Sequence, residues 1–346
     1  MLDAHISRQI ALYPSVSVVV EWENARLGRG NNTRAMLHEL RAQLLELAPQ
    51  LQARPEIIFV HEPAKVKWTL IEDTAGAIFS TERGSATIKI VPGVGLRYYQ
   101  MKNLGAEHAT GDVVVFLDSD VVPEPGWLRN LLTPFSDAAV SVVAGNTYVP
   151  PKTVYSRAFA LCWMFPLRAD DGPLQDWGAP FRGGVEAPAG EVQPFANNIA
   201  FRRTVFLASK FADVEFFRWQ TGPLIRSLAA QGHGVLHNPR ARVRHPPPPN
   251  PQYFISRALC EGHDVYLSYA RKEAPRESLL RCAYWYYAKS LRIAVREIRG
   301  PGKGLGLGPV SGVGAFLVAA SFASVALVGF FLARYWPQLI RRHFAV

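Results

Sequence analysis

Cysteine is scarce in this sequence: the 346 residues contain three, Cys162, Cys260 and Cys282. The number is odd and no two have CxxC spacing, which excludes a disulfide framework or a structural zinc site and fits a reducing compartment. Charge is also sparse, at 19% of residues against 49% hydrophobic. What charge there is leans basic, with a formal net charge of +10, and that favours polyanionic partners. No dense Lys/Arg run tracks a nucleic-acid backbone, so nucleic acid is not among the expected partners. Residues 1–13 carry Asp3, His5 and Arg8 without a long apolar run, so no secretory signal is expected there. The GRGNN stretch at Gly28–Asn32 lacks the Lys-Ser/Thr of a phosphate-binding P-loop and reads as a loop.

The missing charge has a location. No charged residue occurs between Gly304 and Ala333, and the 22 residues from Gly312 to Ala333 are nearly all apolar or small. That is long enough to cross a bilayer, which takes about 20 such residues. Arg334, Tyr335 and Trp336 follow as interfacial anchors. A transmembrane helix over 310–333 is therefore expected, with a basic tail at 334–346; Arg341 and Arg342 in that tail blunt the charge asymmetry that would set topology. A buried helix of a globular fold has similar composition. Upstream, in Glu277–Arg299, Leu280, Tyr284, Tyr287, Leu291, Val295 and Ile298 recur at helical spacing beside Arg281, Lys289, Arg292, Arg296 and Arg299. This pattern suits either a helix in the headgroup layer or an amphipathic helix packed on the globular body. Gly300–Pro309 reads as a flexible elbow.

The rest of the chain alternates short apolar runs with helical periodicity. Strands are expected at Val16–Val20, Glu56–Val60, Thr87–Val91, Asp112–Leu117 and Val140–Ala144. A helix following Asn32 or Thr33 would bury Met36, Leu40, Leu44 and Leu47 on one face. Alternating strands and helices imply an α/β fold with a mostly parallel sheet flanked by helices. Ligands on such sheets bind at the carboxyl ends of the strands. Pro246–Pro249 marks the end of this unit. The expected organisation is an N-terminal extension (1–13), a globular unit (14–249, halves 14–125 and 126–249), interfacial helices with the elbow (250–309), the apolar helix and the tail.

One segment carries most of the chemistry. Val113–Leu128 is an apolar strand ending in Asp118-Ser119-Asp120, then Gly126-Trp127-Leu128. Two carboxylates one residue apart at the mouth of a sheet suit a hard divalent cation, Mg or Mn. Upstream lie Lys102-Asn103, Gly105 and Ala109-Thr-Gly111-Asp112. Together these residues resemble the family 2 glycosyltransferases of GT-A type, over roughly residues 14–245. The resemblance implies a GT-A fold and a nucleotide-sugar donor, with Asp118 on the ribose side, Asp120 as the metal ligand and Lys102 facing the diphosphate beside Asn103. Asp118 and His245, which follows Ala241–Arg244, are further candidate metal ligands.

The resemblance has departures. The loop after the first strand is Glu21-Trp22-Glu23-Asn24, in which Asn24 falls on the family's Asn, Trp22 could stack on a base and Glu23 could accept from a ring N–H of uracil or guanine. The second strand ends in His61-Glu62, of which Glu62 keeps a base-binding carboxylate. Asn197 and Asn198 fall on the acceptor side. Where inverting members carry Glu-Asp, with the Asp as general base, this sequence has Gln220-Thr221, and neither can deprotonate an acceptor at neutral pH. Three readings stand. The base is a neighbouring carboxylate, Asp213 or Glu215 nearest and Asp170, Asp171 or Asp176 in the preceding loop; or the acceptor is already anionic, as in a lipid phosphate; or the protein binds without catalysing. With Gln220 counted on the acceptor side, the expected function is metal-assisted, inverting transfer of a sugar to a lipid-linked or envelope glycan acceptor. The catalytic half is expected at the cytoplasmic face of a membrane. A tethered, non-catalytic nucleotide-sugar binder is the alternative, and a nucleotidyltransferase is disfavoured by the lack of a Gly-rich signature with Lys.

Overall fold

The structure, a computed structural model, describes residues 12–27, 30–79, 86–162, 175–176, 194–214, 216–217, 220–271 and 278–343. Four apolar runs form parallel strands in the order β3-β2-β1-β4. They are β1 (Val16–Glu21), β2 (Glu56–His61), β3 (Thr87–Pro92) and β4 (Val113–Asp118). Every residue of β1, β2 and β4 is buried, because helices cover both faces; this is why these strands read as continuous apolar runs without alternation. One face receives α2 (Asn31–Leu47) and α3 (Trp68–Phe79), which follow a single turn, α1 (Glu23–Leu27). Met36, Leu40, Leu44 and Leu47 are all sealed against the sheet, as their spacing implies. The other face receives α4 (Tyr98–Glu107).

The motif glycines make this packing possible. A Cβ on Gly105 would overlap the Val19 side chain of β1, so α4 can lie close only with glycine there. A Cβ on Gly111 would stand 2.7 Å from the Ser17 backbone nitrogen. Asp112 is latched to β1 by Ser15, whose hydroxyl donates to Oδ2 at 2.6 Å. These residues of the pattern pack α4 and the loop before β4 against β1 and Ser15.

Beyond β4 the sheet becomes mixed. The next elements are β5 (Val122–Pro123), α5 (Trp127–Leu132), β6 (Val140–Tyr148), α6 (Val154–Cys162), β7 (Gln175–Asp176), β8 (Asn198–Arg202), α7 (Arg203–Ser209), α8 (Thr221–Ala230) and β9 (Gly234–Arg244). The order continues β4-β8-β6-β9-β5, with β8 antiparallel to both neighbours and β6 parallel to β9. The parallel sheet expected from the sequence is therefore the first half of a larger, curled one. Register shifts in the β6–β9 pairing bend β9. Its last residues return to β5, Val122 pairing with Arg244. That return brings residue 245 back to the segment just after Asp120.

Five helices follow among the described residues: α9 (Pro251–Ala270), α10 (Leu279–Arg299), α11 (Pro301–Gly304), α12 (Pro309–Tyr335) and α13 (Pro337–His343). Asn250 caps α9 by accepting from the Tyr253 nitrogen at 2.8 Å, with proline at the first helical position. The Gly-rich elbow holds the short helix α11, and Leu307 behind it is buried with Ala158 and Ala315. Among the described residues α12 alone is long and apolar enough to cross a membrane, with a mean hydropathy of 2.3 over its best window. Small and aromatic residues from Gly312 to Ala333 bury one of its faces against the globular body.

Candidate active site

Parallel pairing sets Glu21 directly beside Asp118 at the carboxyl edge of the sheet. Asp118 is almost fully committed to protein donors. Lys102 Nζ lies 2.7 Å from its Oδ1, the Tyr98 hydroxyl donates at 2.8 Å, and Asn24 Nδ2 reaches Oδ2 at 3.3 Å. Asn24 also donates to Glu21 Oε1 at 2.6 Å. Burial first, and Asp118 second, push the Glu21 carboxyl well above the usual carboxylate range.

Asp120 differs. Its Oδ2 accepts from the Tyr253 hydroxyl at 2.5 Å, while its Oδ1 is buried with no hydrogen-bond partner. His245 Nε2 stands 3.9 Å from Oδ2. The other ring nitrogen, Nδ1, is 2.7 Å from the Pro246 carbonyl, so it carries the proton. Burial lowers the His245 pKa and keeps the ring neutral, the form that ligates metals. Arg257, one helical turn after Tyr253 on α9, donates to Asn24 Oδ1 at 2.6 Å and to the Tyr253 hydroxyl at 2.9 Å. Its Nε is buried without a partner.

Burial drives Glu21 and Glu23 toward their neutral forms, so the charge of the cluster rests on Asp118 and Asp120. Asp118 is paired with Lys102, Arg257 reaches Asp120 through the Tyr253 hydroxyl, and the oxygen left without a protein donor is Oδ1 of Asp120. The donor set is hard oxygen plus one imidazole, which fits Mg or Mn. Among the described residues, however, no three His, Cys, Asp or Glu side chains converge to enclose a cation. The expected trio of Asp118, Asp120 and His245 is not assembled, because Lys102, Tyr98 and Asn24 occupy Asp118. Of the trio, Asp120 and His245 stay near each other, with His245 Nε2 3.9 Å from Asp120 Oδ2.

Several expected donor contacts are elsewhere. Trp22 is turned into the core, edge-on to Phe59 at 5.1 Å and 2% exposed, so it offers no face to a base. Lys102 is fully buried over the Tyr98 ring and holds Asp118, so it does not face a diphosphate. Asn103 binds the Phe211 backbone through both ends of its amide. Glu62 clamps two backbone nitrogens, those of Ala64 and Gly95. Glu23 does keep a buried, unpartnered oxygen, Oε2, while its Oε1 accepts from the Glu62 nitrogen at 2.9 Å. Burial raises the Glu23 pKa.

On the acceptor side, Asn198 is structural: its amide ties Trp127 to the Ala241 carbonyl. Asn197 accepts from the Thr147 hydroxyl at 3.0 Å. Gln220 caps α8 beside Tyr99, its Oε1 buried without a partner. Asp213 is 78% exposed and bound to Arg97 and Gln100, with no contact to the Asp118–Asp120 cluster. Glu215, Asp170 and Asp171 lie outside the described residues, as does the side chain of Asp176. Sequence reasoning missed Tyr98, Tyr253 and Arg257. The first sits four residues before Lys102, on the same face of α4, and that spacing is the signal that would have found it. The other two are an i, i+4 pair on a helix far along the chain, with no local motif.

A parallel half ending in strand-borne carboxylates, joined to a mixed half that curls back onto them, defines the GT-A class of fold. Residues 90–188 match the family described as Glycosyl transferase family 2. The chain is 28% identical over 162 residues to a glucosyl-dolichyl phosphate glucuronosyltransferase of Haloferax volcanii, covering 44% of this chain and 47% of that protein. The chain thus spans about half the length of that curated relative. A shorter match, 51% identical over 43 residues, is to the pre-mycofactocin glycosyltransferase of Mycobacterium tuberculosis, covering 12% of this chain and 9% of that one. Among solved structures the chain is similar to the mannosyltransferase PcManGT of Pyrobaculum calidifontis, solved with GDP-Man and Mn2+. The TM-score is 0.50 at 14% identity, covering 94% of this chain and 88% of the other.

Proposed function

We propose that this protein transfers a sugar from a nucleotide-diphosphate donor to a phosphate oxygen on a membrane-borne lipid. The observation that carries the reading is the carboxylate edge: a held Asp118 and an Asp120 with an unpartnered oxygen beside His245. Asp120 and His245 would hold a divalent cation, which when bound neutralises charge on the leaving diphosphate. The Mn2+ and GDP-Man in the mannosyltransferase of similar fold support both ligands. Asp118, fixed from three sides, faces the ribose. Glu23 Oε2 accepts from a base N–H, which suits uracil or guanine.

The acceptor class follows from Gln220-Thr221. With Gln220-Thr221 at the position of the usual base, an acceptor that arrives already ionised needs no proton removed. A lipid phosphate is such an acceptor, and the dolichyl phosphate in the name of the Haloferax relative supports the class. Arg257, with its orphaned Nε, supplies positive charge beside Asp120 for that anion. The acceptor oxygen forms a bond to the anomeric carbon as the bond to the diphosphate breaks on the opposite face. The electron pair leaves with the nucleoside diphosphate, and the configuration inverts. The apolar α12 and basic α10 attach the catalytic body to the membrane's cytoplasmic face, where the donor is made.

The test is transfer of labelled sugar to polyprenyl phosphate and to the corresponding polyprenol. Transfer to the phosphate alone supports the reading. Equal use of the alcohol means a base is present and sinks the account of Gln220-Thr221. Donor binding with no turnover on either points to the tethered binder, which the same two residues favour.

A further inference from the structure

The membrane attachment just proposed leaves open how α12 meets the bilayer, and its packing bears on that. Its buried positions run from Gly312 through Ala315, Ala319, Phe322, Ala326 and Gly329 to Ala333. At 1.5 Å per residue that stretch is about 33 Å, the full thickness of a hydrocarbon core. The partner along most of it is α9. A Cβ on Gly262 of α9 would overlap the Ala326 carbonyl and stand 2.6 Å from the Phe330 nitrogen. A Cβ on Gly329 would stand 2.7 Å from the Leu259 Cα. Phe254 packs on Phe322 at 5.4 Å, and Tyr266 on Phe330 at 5.6 Å. On other sides α12 meets α6, through Phe159, and α10, through Ile298. No 20-residue stretch of α12 is clear of the body.

Crossing the bilayer would therefore carry its neighbours in with it. Buried Glu261, His263 and Asp264 lie on α9, as do Tyr253 and Arg257, which touch the active-site cluster. Five basic residues lie on α10. Ionised side chains at bilayer depth are costly, at about 2.5–3.5 kcal/mol each on insertion scales. The remaining faces have the other arrangement. Opposite its buried face α12 exposes Val310, Val313, Leu317 and Val328. Away from its packed face α10 exposes Leu280, Tyr284 and Trp285 interleaved with Arg281, Lys289, Arg292, Arg296 and Arg299. Tyr335, Trp336 and Leu339 extend the apolar surface past the end of α12.

We infer that α12 does not cross the membrane but lies in its plane, so that α10 and α12 together form a one-sided platform on an anionic lipid surface. The basic residues of α10 select the lipid: cations sit at the headgroup level while apolar side chains enter below. α9 packs on α12 and carries Tyr253 and Arg257 to Asp120 and Asn24, so the catalytic edge lies one helix away from this platform.

Sidedness tests this directly. Val310→Cys and Gln338→Cys, one beyond each end of the buried stretch, are placed in the full chain and expressed in membranes. An impermeant maleimide is applied from the face carrying the globular domain and from the opposite face, and labelling above that of the parent chain is read. Both labelled from the domain's own face is the expected result; one from each face overturns the in-plane reading while leaving attachment intact. Flotation of the purified chain with phosphatidylcholine vesicles, with and without phosphatidylglycerol, separates the two readings. No flotation with either defeats attachment itself. Binding should require phosphatidylglycerol and fall about five-fold for each of Arg292→Gln and Arg299→Gln. Equal binding to neutral vesicles, or self-association in their place, overturns the lipid assignment.

Discussion

Replacing Lys102 with methionine distinguishes a strut from a ligand contact. Lys102 Nζ is 2.7 Å from Asp118 Oδ1, with side-chain exposures of 0% and 6%. Removing one partner of such a buried pair leaves an uncompensated charge, at a cost of about 3–5 kcal/mol. For a chain of this length that lowers the thermal midpoint by roughly 4–7 °C. The Tyr98 hydroxyl and Asn24 amide remain on Asp118, so the lower end of that range is the better expectation. Lys102→Met/Asp118→Asn should regain part of the loss, because both charges are removed while an acceptor remains for Tyr98 and Asn24. Scanning calorimetry or a denaturant series reads both variants. A Lys102→Met protein with unchanged midpoint but weakened donor binding would restore Lys102 as a diphosphate contact and refute the reasoning.

Three further outcomes follow from the packing and the charges. Trp22→Ala should cost about 3–5 kcal/mol of stability, as for a buried aromatic, measured by chemical denaturation; a purely donor-binding defect would mean the ring faces the base after all. Gly262→Ala should part α9 from α12 and lower both the thermal midpoint and activity, overpacking of this kind costing about 1–3 kcal/mol; wild-type values for both would mean the helices are not in contact. For Glu56, burial acts to raise the pKa, but the Lys89 ammonium and the Ser17 and Thr110 donors outweigh it and hold the group at about 2, below its usual 4.5. A depressed folded value gives stability that is present above pH 4.5 and lost as pH falls toward 2. Glu56→Gln should therefore be less stable than wild type at neutral pH, with the gap narrowing as denaturation is repeated at lower pH. A constant gap would contradict the ion pair.

The strands, the faces of α2 and the pair of aspartates at the end of β4 were legible in the sequence, because burial on both sides of a sheet writes a continuous apolar run. The motif also singled out Gly105 and Gly111, where the backbone approaches too closely for a side chain, and Lys102 and Asn103 beside them. It did not reveal which way they point: Lys102 and Trp22 turn inward, and a helical or loop position alone does not fix that direction. The insertion of β8 antiparallel between β4 and β6 was not legible, since strand order is set by distant pairing. Tyr253 and Arg257 were illegible for the same reason, reaching Asp120 and Asn24 from 133 and 233 residues away. The length and composition of α12 suggested a crossing helix, and only its glycine-lined contact with α9 argues for a different placement.

The central claim is that Asp120 and His245 hold a cation that secures a nucleotide sugar. Calorimetric titration of UDP- and GDP-sugars into the detergent-purified chain, with Mn2+, with Mg2+ and with chelator, tests it beside Asp120→Asn. The account predicts that one donor binds only with metal and that Asp120→Asn, folded and of wild-type stability or better, loses that binding. A donor that binds equally well in chelator and in Asp120→Asn, or no donor binding to the folded wild type, would contradict it.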